Sequence, residues 1–325
     1  MSAVMSDSDD DSCVPDAKTA QARVKEFESV TNTDAGNTWD IHYSYQYNDI
    51  SSQENRWDLS RALNSYFATK CENIETANAR SAESRSVSAP RGPSLDSALR
   101  AGLVTTQAPQ KLIMISWNID GLEEKSLQKR TEAVVKTIRE VAADIVFLQE
   151  VIPETFSFIQ TQLTNYECIA AKDDNYFVAT LLRKGRVYMD RYKVIDYPTT
   201  RMYRHLLAVQ AHCGSVVMDL LNTHLESTKD HASERKKQLE QCFGLMSRRP
   251  DDRSVIFGGD LNLRDPEVVS VGGAPAPARD VWEELGRREE VRWTWDCQRN
   301  TNKEIPGKWK PKCRSVITTL LIARL

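Results

Sequence analysis

The chain has 325 residues, 40% of them hydrophobic, which is enough for a full core and leaves room for one large domain beside a small one. Its net charge of −3 selects no partner, because local patches decide nucleic-acid binding and the sum does not. Seven cysteines with no CxxC pair and no zinc-like spacing with histidine exclude a disulfide scaffold or a zinc finger and read as reduced intracellular thiols, while no apolar run reaches the length of a membrane span.

From the N-terminus, residues 1–17 are polar and acidic (SDSDDDS) and read as a disordered tail with no signal peptide. Residues 18–70 are helical in pattern, opening with QARVKEFESVTNTD and closing with WDLSRALNSYF. Residues 71–109 are rich in Ser, Ala, Arg and Pro without an apolar period and read as a flexible linker. From residue 110 strand and helix patterns alternate. KLIMISWNI is a strand; SLQKRTEAVVKTIREVA is a helix with Val134, Val135, Ile138 and Val141 on one face; DIVFLQEV is a second strand. YFVATLLRK, HLLAVQAHC and SVVMDLLNTHLE follow as strands, then HASERKKQLEQCFGLM as a helix and SVIFGGDLN as a strand. Neighbouring strands without intervening helices exclude a purely parallel doubly wound sheet. The expected fold is α/β, with two mixed β-sheets packed together and flanked by helices.

The strands end in polar groups. SWNID places Asn118 and Asp120 at one end, FLQE places Glu150 at another, LNTHLES places Asn222, His224 and Glu226 at a third, and GGDLNLRD places Asp260, Asn262 and Arg264 at a fourth. Gly258 and Gly259 before an Asp are also ordinary turn chemistry. Four such endings in one domain point instead to a shared pocket. The chemistry that suits these types is metal-assisted phosphodiester hydrolysis: Glu150 and Asp120 as hard oxygen ligands for Mg²⁺ (or Mn²⁺), Asp260 fixed by an Asn to orient or deprotonate water, and Asn118, Asn262 and His224 donating to non-bridging phosphate oxygens.

Together, SWNIDGL, FLQEV, THLESTKDHASER and GGDLNLRD resemble the endonuclease/exonuclease/phosphatase superfamily, and NIDGL, THLEST, NLRD and DVWEELG ahead of WTWD resemble its tyrosyl-DNA phosphodiesterase branch, over roughly residues 111–301. The resemblance implies a Mg²⁺-dependent hydrolase, acting in the nucleus with the cytoplasm as a second site, that repairs DNA 5′ ends by removing topoisomerase-derived tyrosyl peptide adducts. It implies that Tyr176, Arg204, Ser227, Arg264 and Trp295 line the channel for the DNA end and peptide. It also implies that residues 18–70 are a ubiquitin-associated-like module, with ubiquitin or ubiquitylated proteins as partners, although GNTWDIHYSYQYNDISSQEN is longer and more aromatic than the expected second helix.

After WTWD the branch runs through an Arg-x-Asp-Arg strand to a Ser-Asp-His. This chain reads CQRNTNKEIPGKWKPKCRSVITTLLIARL, and its last histidine is His231. The expectation is therefore a phosphodiesterase domain over 110–325 that lacks its C-terminal strands and is impaired by the missing imidazole, with SVITTLLI either unpaired or filling the empty slot. Two other readings stand beside it. One is a different phosphatase or nuclease of the superfamily, against which NIDGL and THLEST argue. The other is a non-catalytic adaptor that binds DNA or ubiquitin.

Overall fold

The computed structural model describes residues 111–296, apart from 172–174, 251, 285, 288, 290, 291 and 293, together with 108–109 and strand pieces at 40–41, 312–313 and 319–321. The acidic tail, most of the helical module and linker, and most of the segment after Asp296 lie outside the described residues.

Two βαβ units form the frame. In the first, β2 (Ile113–Asn118) is followed by helix α1 (Leu127–Val141) and runs parallel to β3 (Ile145–Val151). In the second, β8 (Val216–His224) is followed by α3 (Ala232–Ser247) and runs parallel to β9 (Ser254–Asp260). A parallel pair needs a crossover of this kind, and each helix covers the outer face of the pair it joins. Antiparallel strands extend both. β5 (Phe177–Arg183) and β4 (Tyr166–Ala170) continue beyond β3, and β7 (His205–Cys213) and β6 (Tyr188–Asp196) continue beyond β8. Helix α2 (Pro153–Gln162) packs beside α1 over the first sheet.

The cores follow from the period of two along each strand. In β3, Ile145 and Phe147 face the second sheet, while Val146 and Leu148 face Val134, Val135 and Ile138 of α1. In β8, Met218 and Leu220 face the first sheet, while Leu221 packs with Leu239, Cys242 and Phe243 of α3. The result is a helix–sheet–sheet–helix sandwich with two mixed sheets, as the sequence leads one to expect. The structure adds elements that the pattern reading omits: α2, β4, β6 and a short helix α4 (Asp265–Ser270) behind β9.

Two short pieces complete the edges. Asp40–Ile41 (β1) runs parallel to β2. Thr319–Leu321 runs antiparallel to β9, pairing Thr319 with Phe257 and Leu321 with Val255. Part of SVITTLLI thus lies along an edge of β9 that a sheet would otherwise leave open.

Candidate active site

The strands β2, β3, β8 and β9 all end at the same rim of the sandwich, and alternation decides which side chains reach it. On β2 the positions facing the opposite sheet are Met114, Ser116 and Asn118; on β8 they run from Met218 to His224; on β9 they run from Ile256 to Asp260. Asn118, His224 and Asp260 are therefore the last inward residues of their strands. Glu150 breaks the rule. On β3 the inward positions are odd-numbered, so an unbroken strand would aim Glu150 at helix α1. The pairing of β3 with β5 slips between Leu148 and Val151, Glu150 takes a left-handed backbone (φ 52°), and Val151 moves into the outer core. A bulge of this kind re-aims one side chain, here toward the rim. It is held by Gly121, whose N–H donates to the Glu150 carbonyl at 3.0 Å. A Cβ on Gly121 would lie 2.2 Å from that oxygen, so only glycine fits.

The carboxamide of Asn118 ties the cluster together. Its Nδ2 donates to Glu150 Oε1 and to Asp260 Oδ2, both at 2.9 Å, and its Oδ1 accepts from the Asp120 amide at 2.9 Å. His224 Nε2 stands 3.6 Å from Asp260 Oδ2 and 4.0 Å from Glu150 Oε1. Arg204 Nη1 lies 2.8 Å from His224 Nδ1. A guanidinium can only donate, so Nδ1 accepts and the ring proton sits on Nε2, between the two carboxylates. Burial, and then the Arg204 charge, push the His224 pKa down to about 3, so the imidazole is neutral. Burial raises the Glu150 pKa, and after it the nearby charges of Asp260 and Asp120 act in the same direction against the Asn118 hydrogen bond.

A second shelf joins the first through Arg204. Its Nη2 donates to Ser227 Oγ at 3.0 Å, and its guanidinium carbon lies 5.1 Å above the centre of the Tyr176 ring. Tyr176 Oη donates to the Met202 carbonyl at 2.7 Å. Asn262 has its N–H on Asp260 Oδ1 at 3.3 Å and its Nδ2 near Ser227 Oγ at 3.3 Å. Asn118, Asp120, Glu150, Tyr176, Arg204, His224, Ser227, Asp260 and Asn262 thus form one connected set. Arg264 is exposed beyond it, with its N–H bonded to Glu267. The backbone of Trp295 lies in a two-residue strand (Trp295–Asp296), and its side chain is outside the described residues.

Two strand-end groups read from sequence as pocket residues do other work. Asn222 is fully buried between the sheets, where it accepts from Gln149 at 2.9 Å and donates to the Ala179 carbonyl at 2.8 Å. Glu226 is also fully buried, and its Oε1 accepts from the Thr200 hydroxyl and the amides of Arg201 and Met202 at 2.7, 2.7 and 3.1 Å. Beneath it Arg235 is the brace that sequence reasoning passes over: Nη1 donates to the carbonyls of Glu226 and Thr228, while Nε and Nη2 grip Glu267 at 3.1 and 2.6 Å. An arginine at the fourth position of an otherwise amphipathic helix, seven residues after Thr228, is the only signal the chain offers for it.

A cluster of carboxylates, a carboxamide and a neutral imidazole at one rim is the equipment of a phosphodiesterase, and similarity to known proteins decides which. Residues 115–310 match the model of the Endonuclease/Exonuclease/phosphatase family. Tyrosyl-DNA phosphodiesterase 2 of Homo sapiens is 38% identical over 268 residues, covering 79% of this chain and 73% of the human protein. The Danio rerio protein of the same name is 34% identical over 294 residues, covering 80% and 79%. The chain belongs to the tyrosyl-DNA phosphodiesterase 2 family. It is a hydrolase of the phosphodiesterase type. Solved structures of the family agree in fold: D. rerio TDP2 complexed with single strand DNA product superposes with a TM-score of 0.62 at 40% identity, covering 64% of this chain and 82% of that one. The TDP2 from C. elegans gives 0.58 at 35% identity, covering 62% of each.

Among the described residues, no three His, Cys, Asp or Glu side chains form a preassembled metal-binding group. The donor set still suits a hard cation that keeps most of its water. Such an ion needs one or two carboxylates from the protein, and the crowding of Asp260 and Asp120 charge on Glu150 is what a divalent cation would relieve.

Proposed function

We propose that the chain is a Mg²⁺-dependent 5′-tyrosyl-DNA phosphodiesterase of nuclear DNA repair, which frees DNA 5′ ends of topoisomerase-derived tyrosyl peptides and leaves a 5′ phosphate. The observation that carries the reading is the Asn118 bridge to Glu150 and Asp260 with the His224 ring against both carboxylates. Family membership and the single-strand DNA product bound by the D. rerio relative support the substrate.

Glu150, with Asp120 beside it, would hold the Mg²⁺, which supplies Lewis-acid stabilisation of charge on the phosphate when bound. The chain's own residues do the rest. Asp260, fixed at Oδ2 by Asn118 and at Oδ1 by the Asn262 amide, orients an attacking water and takes its proton. His224 offers a neutral Nε2–H to a non-bridging oxygen, and the Arg204 guanidinium behind it keeps that proton on Nε2. Tyr176, Arg204, Ser227, Arg264 and Trp295 are assigned to the DNA end and its adduct. Ubiquitin binding by residues 18–70 is a separate proposal that rests on the sequence resemblance.

The test is cleavage of a 5′-phosphotyrosyl oligonucleotide by the purified 325-residue chain, with Mg²⁺ and with chelator. Tyrosine release that needs the metal is expected. The sequence holds no histidine after His231, so a version carrying the family's Ser-Asp-His segment after Lys312 should turn over ~10²–10³ faster, the usual worth of one pre-placed donor to the transition state. No release from either chain, with both folded, would favour the adaptor reading.

A further inference from the structure

The loop that enters β7 alternates outward and inward: Arg201 is exposed, Met202 half-buried, Tyr203 exposed and Arg204 buried. Tyr203 is 75% exposed and is among the few large apolar side chains that the described residues leave open. Its backbone is left-handed (φ 56°), a conformation that a bulky residue adopts only when its surroundings impose it. The imposing group is Glu226, whose buried Oε1 collects the Thr200 hydroxyl and two successive amides, while the Thr200 hydroxyl oxygen accepts the Arg204 amide at 2.8 Å. Burial alone would disfavour this carboxylate; the bonds from Thr200 and the loop amides outweigh it, and they fix a loop whose outermost side chain stands open to water. Folding gains little from presenting an aromatic ring to water in a strained backbone. The arrangement makes sense if the ring has work outside the fold.

Its neighbours indicate the work. The next residue, Arg204, reaches His224 in the cluster, so the Tyr203 Cα is about 3.8 Å along the chain from that of a residue lining the phosphate position. Exposed Arg201 lies two residues to the other side. A cation and an open aromatic ring beside a phosphate site form the pairing by which proteins grip single-stranded nucleic acid: charge follows the backbone and the ring stacks on a base without regard to its identity. Resting on the DNA-end reading above, we propose that Tyr203 is the stacking platform for a nucleobase next to the scissile phosphate, with Glu226 as the positioning residue that holds it there.

The test uses the full chain and a single-stranded oligonucleotide with a 5′ phosphate and 2-aminopurine in place of the first or second base, followed by fluorescence. Binding should quench the probe, since stacking does so. Tyr203→Phe should keep the quench and the affinity, while Tyr203→Leu and Tyr203→Ala lose the quench and weaken binding about tenfold, within the range for one base on one ring. On a 5′-phosphotyrosyl oligonucleotide the Ala variant should raise KM by a similar factor and leave kcat within about twofold. Unchanged quench and affinity in the Ala variant, or a fall in kcat at constant KM, would overturn the proposal. The binding arm needs no turnover, so inactivity of the parent chain would count against the phosphodiesterase reading and leave the stacking result to stand or fall separately.

Discussion

The carboxamide of Asn118 has two N–H donors and a carbonyl acceptor, and each is engaged, by Glu150, Asp260 and the Asp120 amide. This fixes which way the amide points and gives a sharp expectation for the smallest change. Asn118→Asp replaces the donor between two carboxylates with a third negative charge or, if protonated, leaves a single O–H to serve both Glu150 and Asp260. Cleavage should fall at least ~10², the scale of a general base left unpositioned, because Asn118 fixes Asp260, and the melting temperature should fall as well. Asn118→Ala should cost similar activity with a smaller loss of thermal stability, since it adds no charge. The comparison is made by single-turnover rates and calorimetry on both variants, and equal melting temperatures for the two would mean that the carboxylates do not feel position 118.

Among the elements, the loops behind β8 and β9 are tied by one buried ion pair. Arg235 on α3 holds Glu267 on α4, and Glu267 Oε2 also caps the Arg264 amide. Burial alone would raise the Glu267 pKa; the Arg235 hydrogen bond, then the Arg264 amide and the two guanidinium charges, outweigh it and hold the group below its ordinary 4.5. A carboxylate with a lowered pKa in the folded state stabilises fully above its unfolded value and loses that contribution as the pH falls through the folded one. Glu267→Gln leaves Arg235 buried without its counter-charge and should cost about 3–5 kcal/mol at pH 7. In urea unfolding followed from pH 7 to pH 3, the gap between parent and variant should close toward the acid end. A gap that is constant with pH would mean that the pair's charge contributes nothing. At this scale part of the site is legible in the sequence and part is not. Polar residues closing apolar runs could be read directly, because a strand end is where the alternation stops. The bulge that turns Glu150 inward could not, since FLQE looks like any regular strand and the cause is Gly121, 29 positions earlier. The sequence does not separate Asn222 from the pocket for a related reason: it shares the inward face of β8 with His224, but two residues deeper, where the sheets close over it. Strand β6 carries no alternation in the sequence because it is an edge, with Arg191, Tyr192 and Lys193 exposed, so burial imposes no pattern on it. Helix α2 did carry a signal, Pro153 at its first position and Thr155 bonded back to the Ile152 amide, but its apolar stripe is short.

At the scale of the whole molecule, the site exists because two βαβ units face each other with their parallel strands ending at one rim. Asn118 and Glu150 come from one sheet and His224 and Asp260 from the other, so the bond from Asn118 to Asp260 spans the sandwich and activity is bound to the packing of the halves. The interior between them is apolar up to the Gln149–Asn222 hydrogen bond and polar beyond it, which places the change from core to active centre within one turn of the strand pleat. The direct measurement of the central claim is on Asp260→Asn, which keeps the shape of the rim and an oxygen for Asn118 but removes the base. With Mg²⁺ and a 5′-phosphotyrosyl oligonucleotide under single-turnover conditions, the account predicts tyrosine release slowed by at least ~10², in the range usual for loss of a positioned general base, with DNA affinity within about threefold of the parent. Release at the parent rate by a folded Asp260→Asn chain would contradict it.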